Sequence, residues 1–346
     1  MFIKIQNTLK YLIVIIINNM NTFTGCLPDT RTIEEKAKDW HKDLASAGPV
    51  VWVEKDFDDI NTFPVRNQDG SGSCVAQTLA LIMGIENFLE EGRFIEFSAK
   101  DIYTKRSNKT TMGMIGVEAL DIIRKSGCTL EHLVPSQNQN ESQINEIKRQ
   151  ISDIEIAKVF KIKDYWQLPF SLEQIATIME SGRKNGVAKP LMTWFMFPRK
   201  EWDSKPYITN SNFDIVHHSV TAIDYGMMNG KKGIFIQDSW GLHNSTVNGL
   251  RFISEDYLPR MTFCAYVNDL SNDWQNSQTN DIIIKRTLKI GSKGEDVKEL
   301  QRLLGITQDG MFGPATWQAV RRFQQNNGLL VDGVVGKATL QKLLNK

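Results

Sequence analysis

The sequence predicts an α+β domain followed by a small all-α module, and three observations support this fold class. An amphipathic stretch with helical spacing, from Leu79 to Leu89, follows a Gly-rich loop. Two strand-like runs, 217–223 and 233–236, lie later in the chain on either side of a Gly/Asn turn. The C-terminal segment 285–346 repeats a turn that leads into a helix, and its apolar spacing predicts three helices.

The composition argues against several classes of protein. Of the 346 residues, 41% are hydrophobic and 23% are charged, so the chain can form a packed core. Lys and Arg number 41 against 40 Asp and Glu, which argues against a strongly basic nucleic-acid binder. The four cysteines show no Cys-x-x-Cys spacing, so we expect neither a disulfide framework nor a zinc site. No apolar run approaches the roughly 20 residues that a membrane-spanning helix needs.

The N-terminal segment 1–19 has the outline of a secretory signal. Lys4 and Lys10 precede a short apolar run at 11–17. The alternative interpretation is that Met20 is the true start and that residues 1–19 are translated leader.

Polarity divides the rest of the chain into three parts. We expect a main domain at 20–268 and a compact module at 285–346. Between them, residues 269–284 are rich in Asn, Gln and Ser, which is typical of a linker.

The C-terminal module contains an internal repeat. The pattern Asp-Gly-x-x-Gly-x-Ala-Thr occurs at 309–316 and again at 332–339. Asp-Gly supplies a tight turn, and Pro314 takes the first position of the following helix. Upstream, Ser292 to Glu295 is predicted to form a capping box. With Leu300-Gln301, these features resemble the peptidoglycan-binding domain found at the ends of wall-lytic enzymes, and the resemblance implies peptidoglycan as a partner.

Cys74 is the candidate nucleophile. It follows the Gly-rich loop and Ser73, a predicted helix cap, so it lies at the N-terminus of a helix that ends at Gly92. The positive end of the helix dipole favours the thiolate over the thiol. An inert, buried cysteine would more typically lie in the middle of a helix or strand.

A reactive thiolate needs a proton carrier and a group that orients the carrier. Of the five histidines, His217 and His218 begin the first strand-like run, and Asp238 follows the second. Neighbouring strands can place an imidazole and a carboxylate side by side, and the carboxylate then stabilises the charged ring. Adjacent strand residues point to opposite faces, so only one of the two histidines can face Cys74.

These segments together resemble the papain family of cysteine peptidases. Residues 67–76 are similar to the family's Asn-Gln-x-x-x-Gly-Ser-Cys-x-Ala signature. Residues 218–220 match its His-Ala-Val strand, and residues 238–241 match its Asn-Ser-Trp-Gly segment. The resemblance implies a two-lobed domain with a helical lobe and an antiparallel β-barrel lobe.

The resemblance also implies a role for each site residue. Cys74 is the expected nucleophile, His218 the base and Asp238 the residue that orients the base. Gln68 is expected to contribute to the oxyanion hole, and Trp240 to shield the contact between His218 and Asp238 from water. No metal or organic cofactor is needed for this chemistry.

Three positions depart from the family pattern. The orienting residue is Asp238 rather than Asn, which leaves activity plausible but puts the pH optimum in question. Val75 replaces a Trp after the nucleophile, which changes packing only. Ser71 stands where many secreted members have a disulfide cysteine, so we expect Cys128 and Cys264 to be free thiols.

Several other residues are not expected to belong to the predicted site. We expect His217 on the opposite face of the strand from His218, and Asp224 too far along the same strand to contact His218. His41, His132 and His243 are expected to be ordinary surface or core residues. The aromatic run at 194–197 is predicted to be a buried strand rather than a substrate site.

The function that these patterns favour is a cysteine-type peptidase with a Cys-His-Asp mechanism, targeted to the bacterial cell wall. The substrate is expected to be a peptide or protein, and the chain a monomer that is secreted, wall-associated or phage-encoded. Two alternatives stay open. One is a non-catalytic wall-binding protein with a papain fold, and the other is a phage or host lysin that cuts peptidoglycan stem peptides.

Overall fold

The structure is a computed structural model of the chain. It describes residues 25–27, 29, 31–32, 50–109, 111–147, 150–196, 199–209, 217–272 and 286–344. The predicted signal or leader segment 1–19, His41 and most of the predicted linker 269–284 lie outside these residues.

The first part of the main domain is mostly helical. Its central helix, α1 (Cys74–Glu91), is buried along nearly its whole length, which is typical of a helix at the centre of a core. It is capped as predicted by Gly92, whose φ of +69° lies in the left-handed region. The other helices of this lobe are α2 (Ala99–Tyr103), α3 (Gly116–Lys125), α4 (Glu141–Asn145) and α5 (Ile151–Val159).

The second lobe is built on a sheet of seven described strands. In chain order they are β1 (Phe160–Gln167), β2 (Leu191–Met196), β3 (Tyr207–Ile208), β4 (His217–Met228), β5 (Lys231–Gln237), β6 (Leu250–Ser254) and β7 (Met261–Asn272). Their order across the sheet is β1-β7-β2-β4-β5-β6-β3. Neighbouring strands are antiparallel, except for the short parallel pair of β3 and β6. Helices α6 (Leu172–Ser181) and α7 (Arg199–Trp202) belong to this lobe.

Strands β4 and β5 position the site. They pair antiparallel, with Thr221 opposite Gln237, so the residue that follows β5 lies near the beginning of β4. On its other side β4 pairs with β2, where Phe195 lies opposite His218. Trp194 and Phe195 are buried in β2, which confirms the predicted buried strand for the described part of the aromatic run.

Helix α1 and strand β4 join the two lobes. Ser219 Oγ on β4 donates to Thr78 Oγ1 on α1 at 3.0 Å, and Thr221 Oγ1 donates to the Thr78 carbonyl at 3.4 Å. All three side chains are buried, so these hydrogen bonds are protected from competition with water. The N-terminus of α1 is therefore fixed against the beginning of β4.

Strand β7 extends further than the predicted linker boundary allows. Residues 270–272 pair with β1, and Leu270 is buried opposite Ile162. Because the neighbours of Leu270 are polar, the sequence shows no apolar strand pattern here. The linker predicted to begin at 269 therefore cannot begin before residue 273.

The described part of the C-terminal module contains three helices, α8 (Glu295–Leu303), α9 (Pro314–Asn326) and α10 (Lys337–Leu344). Pro314 is the first residue of α9, as predicted. The predicted capping box at 292–295 is wrong. Gly294, with a φ of +135°, is the N-cap residue of α8, and the Ser292 hydroxyl instead accepts from the Lys289 N–H.

In the described ranges, no helix combines the length and the apolarity that are needed to cross a membrane.

Candidate active site

Cys74 is the first residue of α1 and is fully buried. Ser73 occupies the N-cap position, but the expectation that its side chain caps the helix is wrong. Its hydroxyl lies 2.7 Å from the hydroxyl of Ser71 and accepts a long hydrogen bond from Gln77. The first backbone N–H groups of the helix, which have no acceptor within it, therefore keep their positive electrostatic potential next to Cys74.

Side chains of the segment 137–141 hold the loop that precedes Cys74. The Gly72 N–H donates to Glu141 Oε2 at 2.7 Å, and the Asn67 N–H donates to Gln137 Oε1 at 2.6 Å. Acceptors on both sides thus restrict the loop backbone before the nucleophile, which preorganises it.

His218 and Asp238 meet as the sequence predicts. His218 Nε2 lies 2.9 Å from Asp238 Oδ1, and both side chains are at most 1% exposed. The other ring nitrogen, Nδ1, is buried, and the ring interacts electrostatically with Cys74. The imidazole therefore lies between a sulfur and a carboxylate, as a general base needs.

The second carboxylate oxygen of Asp238 is bound by two residues that the sequence analysis missed. Trp202 Nε1 donates to Asp238 Oδ2 at 2.7 Å, and Arg251 Nε donates to the same oxygen at 3.1 Å. Arg251 is fully buried and also donates to the carbonyl oxygens of Trp202 and Ser245. One signal was available: Arg251 stands between Leu250 and Phe252 in an apolar strand, where an arginine needs a buried partner.

The charges of Cys74, His218 and Asp238 stabilise one another. Burial would raise the pKa of Cys74, but hydrogen bonds from Cys26 and His218, the charge of His218 and the Ser219 N–H bring it well below its ordinary value. Burial would lower the pKa of His218, but Asp238 and Cys74 raise it to about 9. Both shifts favour the thiolate–imidazolium form of the pair over the neutral form.

The Asp238 carboxylate remains ionised. Burial alone would raise its pKa, but the charges of His218 and Arg251 and the Trp202 hydrogen bond hold it well below the ordinary range. An aspartate in place of the family's asparagine is thus accommodated by a nearby permanent cation.

Gln68 and Trp240 are the other two predicted site residues, and their roles stay predictions. Gln68 is buried, its Oε1 accepts from Ser239 Oγ at 2.8 Å, and its Nε2 donates to the Ser71 carbonyl at 2.7 Å. The Trp240 ring centroid is 5.0 Å from that of His218. Trp202 contacts the same imidazole edge-on at 5.8 Å, so two indoles flank it.

The rival residues are placed elsewhere. His217 Nδ1 lies 2.9 Å from Thr262 Oγ1, in agreement with the predicted opposite face. Asp224 is bound by Lys55 and Arg183 rather than by His218. His243 pairs with Ser245, and the half-buried His132 lies in a turn of the helical lobe.

Cys26 is the third residue that the sequence analysis did not assign to the site. All four cysteines are free, as expected for Cys128 and Cys264, but Cys26 Sγ lies 3.5 Å from Cys74 Sγ. In the described ranges, no group of three or more His, Cys, Asp and Glu side chains is arranged to hold a metal ion.

Two family models match the chain. The model described as "Papain family cysteine protease" matches residues 52–256, which is more than half of the chain. A model of peptidoglycan binding domains matches residues 293–343.

Curated relatives match parts of the chain of different length. A zinc D-Ala-D-Ala carboxypeptidase from Streptomyces albus G is 48% identical over an alignment of 65 residues, with a coverage of 16% of this chain and 26% of that protein. A cathepsin L-like proteinase from Phaedon cochleariae is 24% identical over an alignment of 186 residues, with a coverage of 51% of this chain and 52% of that protein. The chain thus spans about a quarter of the first relative and about half of the second.

A solved structure resembles the main domain. Xylellain, a cysteine protease from Xylella fastidiosa, superposes with a TM-score of 0.60 and 16% identity. The superposition covers 72% of this chain and 96% of that one. This likeness shows the papain-like α+β fold.

Proposed function

This chain belongs to the papain family of cysteine proteases, and we propose that it hydrolyses peptide bonds through a Cys74–His218–Asp238 mechanism. The observation that carries the proposal is the position of the His218 ring. One of its nitrogens lies 2.9 Å from the Asp238 carboxylate, and the ring interacts on its other side with the buried Cys74. Three groups that are far apart in the sequence thus form one acid–base unit.

Acylation is the first chemical step of the proposal. The Cys74 thiolate attacks the substrate carbonyl carbon, and the carbonyl electrons move to oxygen. The Gln68 side-chain amide and the Cys74 backbone N–H donate hydrogen bonds to this oxyanion. His218 then gives its proton to the leaving amine as the C–N bond breaks, which leaves a thioester on Cys74.

Deacylation reverses the roles. A water molecule loses a proton to His218 and attacks the thioester carbonyl. The C–S bond breaks, the product leaves as a carboxylic acid, and the thiolate and imidazolium are restored. Asp238 holds the ring in one orientation throughout, and Trp202 and Trp240 limit access of water to that contact.

The C-terminal peptidoglycan-binding domain supplies the proposed location. We infer that it holds the peptidase at bacterial cell wall, where tethering raises the local concentration of enzyme near wall-bound substrates. The Streptomyces relative, whose name refers to a D-Ala-D-Ala carboxypeptidase, is matched only over a segment of the length of such a module. Membership of the papain family favours a protein substrate over peptidoglycan stem peptides.

The test compares the wild type, Cys74→Ala and the matched control Cys128→Ala, each after treatment with a reductant. Cys128 is equally buried but lies outside the site. We expect Cys74→Ala to lose at least about 1,000-fold in kcat on a peptide substrate, and Cys128→Ala to retain activity. Cleavage by Cys74→Ala at the wild-type rate would overturn the proposal.

Purified sacculi test the location and the substrate class. We expect the full chain to sediment with sacculi, and Val320→Asp, which disrupts the core of the module, to remain in solution. New amines freed from sacculi by the wild type but not by Cys74→Ala would instead favour a lysin. No reaction with an irreversible peptidyl thiol inhibitor, with sacculus binding retained, would favour the non-catalytic alternative.

A further inference from the structure

A second thiol lies beside the proposed nucleophile. Cys26 Sγ is 3.5 Å from Cys74 Sγ, although 48 residues separate the two cysteines. Cys26 is 6% exposed and Cys74 is fully buried. The two sulfur atoms are therefore in contact, and both residues are buried.

Backbone hydrogen bonds fix the position of Cys26. The Leu27 N–H donates to the Met114 carbonyl at 3.0 Å, and the Met114 N–H donates to the Gly25 carbonyl at 2.6 Å. Cys26 thus lies between two backbone hydrogen bonds to Met114, in a short parallel β-bridge with that residue. The contact between the sulfur atoms follows from this backbone pairing and not only from a rotamer of one side chain.

The residue before Cys26 packs closely on the nucleophile loop. A Cβ added to Gly25 would lie 1.7 Å from the Gly72 carbonyl oxygen and 3.1 Å from the Cys74 nitrogen. Gly25 therefore lies close to the backbone nitrogen of Cys74, whose N–H is one of the two proposed oxyanion donors.

The two sulfur atoms differ in protonation. Burial raises the pKa of Cys26, and the adjacent Cys74 raises it further, so Cys26 stays a thiol. Although burial opposes it, hydrogen bonds from Cys26 and His218 lower the pKa of Cys74 well below its ordinary value. A thiolate is the form that oxidants attack, and a neighbouring thiol can then resolve the oxidised sulfur.

We propose that Cys26 and Cys74 form a reversible disulfide, which makes Cys26 an oxidation site that switches the peptidase off. This inference rests on the proposed role of Cys74 as the nucleophile. The sulfur atoms must approach from 3.5 Å to the S–S bond length of about 2.05 Å, a shift of about 1.5 Å.

A peroxide supplies the oxidising equivalents. The Cys74 thiolate attacks one oxygen of hydrogen peroxide, the O–O bond breaks, and sulfenic acid and hydroxide form. The Cys26 sulfur then attacks the sulfenyl sulfur of Cys74, and its proton leaves with the hydroxyl group as water. Two thiol sulfurs lose two electrons in all, and the peroxide gains them.

Oxidation blocks the site in two ways. Cys74 loses its nucleophilic electron pair to the S–S bond, and the segment 25–27 is covalently held next to the Cys74 backbone N–H. A small dithiol reverses both by exchange, because it returns two electrons and releases the two cysteines as thiols.

The experiment uses the full chain as wild type, Cys26→Ser and the matched control Cys128→Ser. Each is reduced, freed of reductant, treated with a molar excess of hydrogen peroxide, which supplies the second equivalent that sulfinic acid requires, and mapped by mass spectrometry without reduction. We expect the wild type and Cys128→Ser to contain a peptide that joins residues 26 and 74 with the loss of two hydrogens. Their activity, relative to each protein's own reduced state, should fall at least about tenfold and return with dithiothreitol.

Cys26→Ser supplies the contrast. Without the resolving thiol, Cys74 should progress to sulfinic acid, and dithiothreitol should not restore the lost activity. Absence of the 26–74 peptide in the oxidised wild type would overturn the inference, as would full recovery of Cys26→Ser with dithiothreitol. The two proposals fail separately, because mapping reads the disulfide even if the reduced protein hydrolyses no peptide.

Discussion

Arg251 donates to one oxygen of the Asp238 carboxylate at 3.1 Å, while the other oxygen faces the ring of His218. The carboxylate is thus shared between a permanent cation and the imidazolium. This relationship explains how an aspartate can take the position at which the family's pattern has an asparagine. Without Arg251, only His218 would balance the negative charge of this buried carboxylate, and His218 can lose its own charge by titration.

The pH profile should depend on Asp238. Burial opposes protonation of His218, but Asp238 and Cys74 raise its pKa to about 9, so the thiolate–imidazolium pair is lost as pH rises through that value. Removing the carboxylate charge in Asp238→Asn should move the alkaline limb of kcat/KM down by about 1 to 3 pH units. The measurement is kcat/KM on a peptide substrate between pH 4 and pH 10.

Asp224→Asn is the control for this profile. Asp224 is a buried carboxylate on β4 that is bound by Lys55 and Arg183, away from His218. Its substitution should leave the alkaline limb where it is. An unchanged limb in Asp238→Asn would contradict the assignment of His218 as the group that titrates there.

Arg251 and Asp238 should be coupled in stability. Arg251→Met leaves the buried carboxylate without its cation, which should cost about 3 to 5 kcal/mol in the free energy of unfolding. Asp238→Asn should also destabilise, because it leaves a buried guanidinium without its counter-ion. In the double variant both charges are gone, so its loss should be smaller than the sum of the single losses. Denaturant unfolding of all four proteins measures the coupling, and additivity within about 0.5 kcal/mol would contradict it.

Gln68 should act on the transition state. We expect Gln68→Ala to lower kcat by about 100- to 1,000-fold with a much smaller change in KM, because it removes an oxyanion donor. Ser239→Ala removes only the hydroxyl that donates to Gln68 Oε1 at 2.8 Å, so its loss should be about tenfold or less. Steady-state kinetics of the two variants checks this graded effect. A larger loss in Ser239→Ala than in Gln68→Ala would contradict the proposed role.

The two halves of the C-terminal repeat are held by equivalent glutamines. Gln301 Nε2 donates to Asp309, to the Met311 carbonyl and to Thr316, and its Oε1 accepts from the Gly310 N–H. Gln324 makes the same four contacts in the second copy, with Asp332, Val334, Thr339 and Gly333. Each amide thus ties an Asp-Gly turn to the helix before it.

Gln301→Ala and Gln324→Ala should each destabilise the module by about 1 to 3 kcal/mol, because buried groups of the turn lose their partners. Binding to sacculi should weaken, and kcat/KM on a soluble peptide should not change. The exposed neighbour Gln325 provides the matched control, Gln325→Ala, which should behave as wild type. Thermal unfolding of the module measures this loss of stability. The same unfolding temperature in all three variants would contradict the role of the amides.

Much of the site could be predicted from the sequence because its residues lie in short, recognisable segments. Cys74 follows its Gly-rich loop, and His218 and Asp238 are brought together by two adjacent strands. Trp202, Arg251 and Cys26 could not be found in this way, because each reaches the site through tertiary packing from a segment without a motif. Their catalytic or regulatory roles stay predictions for the experiments above.

Local details of the fold were less predictable. Serine is a preferred residue at helix caps, which led to the predictions for Ser73 and Ser292. In the folded protein the Ser73 hydroxyl instead contacts the Ser71 hydroxyl, and the Ser292 hydroxyl accepts from a backbone N–H. The end of β7 was concealed because its apolar member, Leu270, stands among polar residues that pair through their backbones. In both cases tertiary partners, which a local pattern does not contain, decide the outcome.

The most direct test of the central claim is a titration of the Cys74 thiolate by its ultraviolet absorbance, taken as the difference between reduced wild type and Cys74→Ser. This measurement needs no access of a reagent to the buried sulfur. We predict that the thiolate is already present at neutral pH, with a pKa far below the ordinary thiol value of about 8.5, and that His218→Ala raises this pKa. A Cys74 that ionises at or above about 8.5 in the wild type would contradict the thiolate–imidazolium pair.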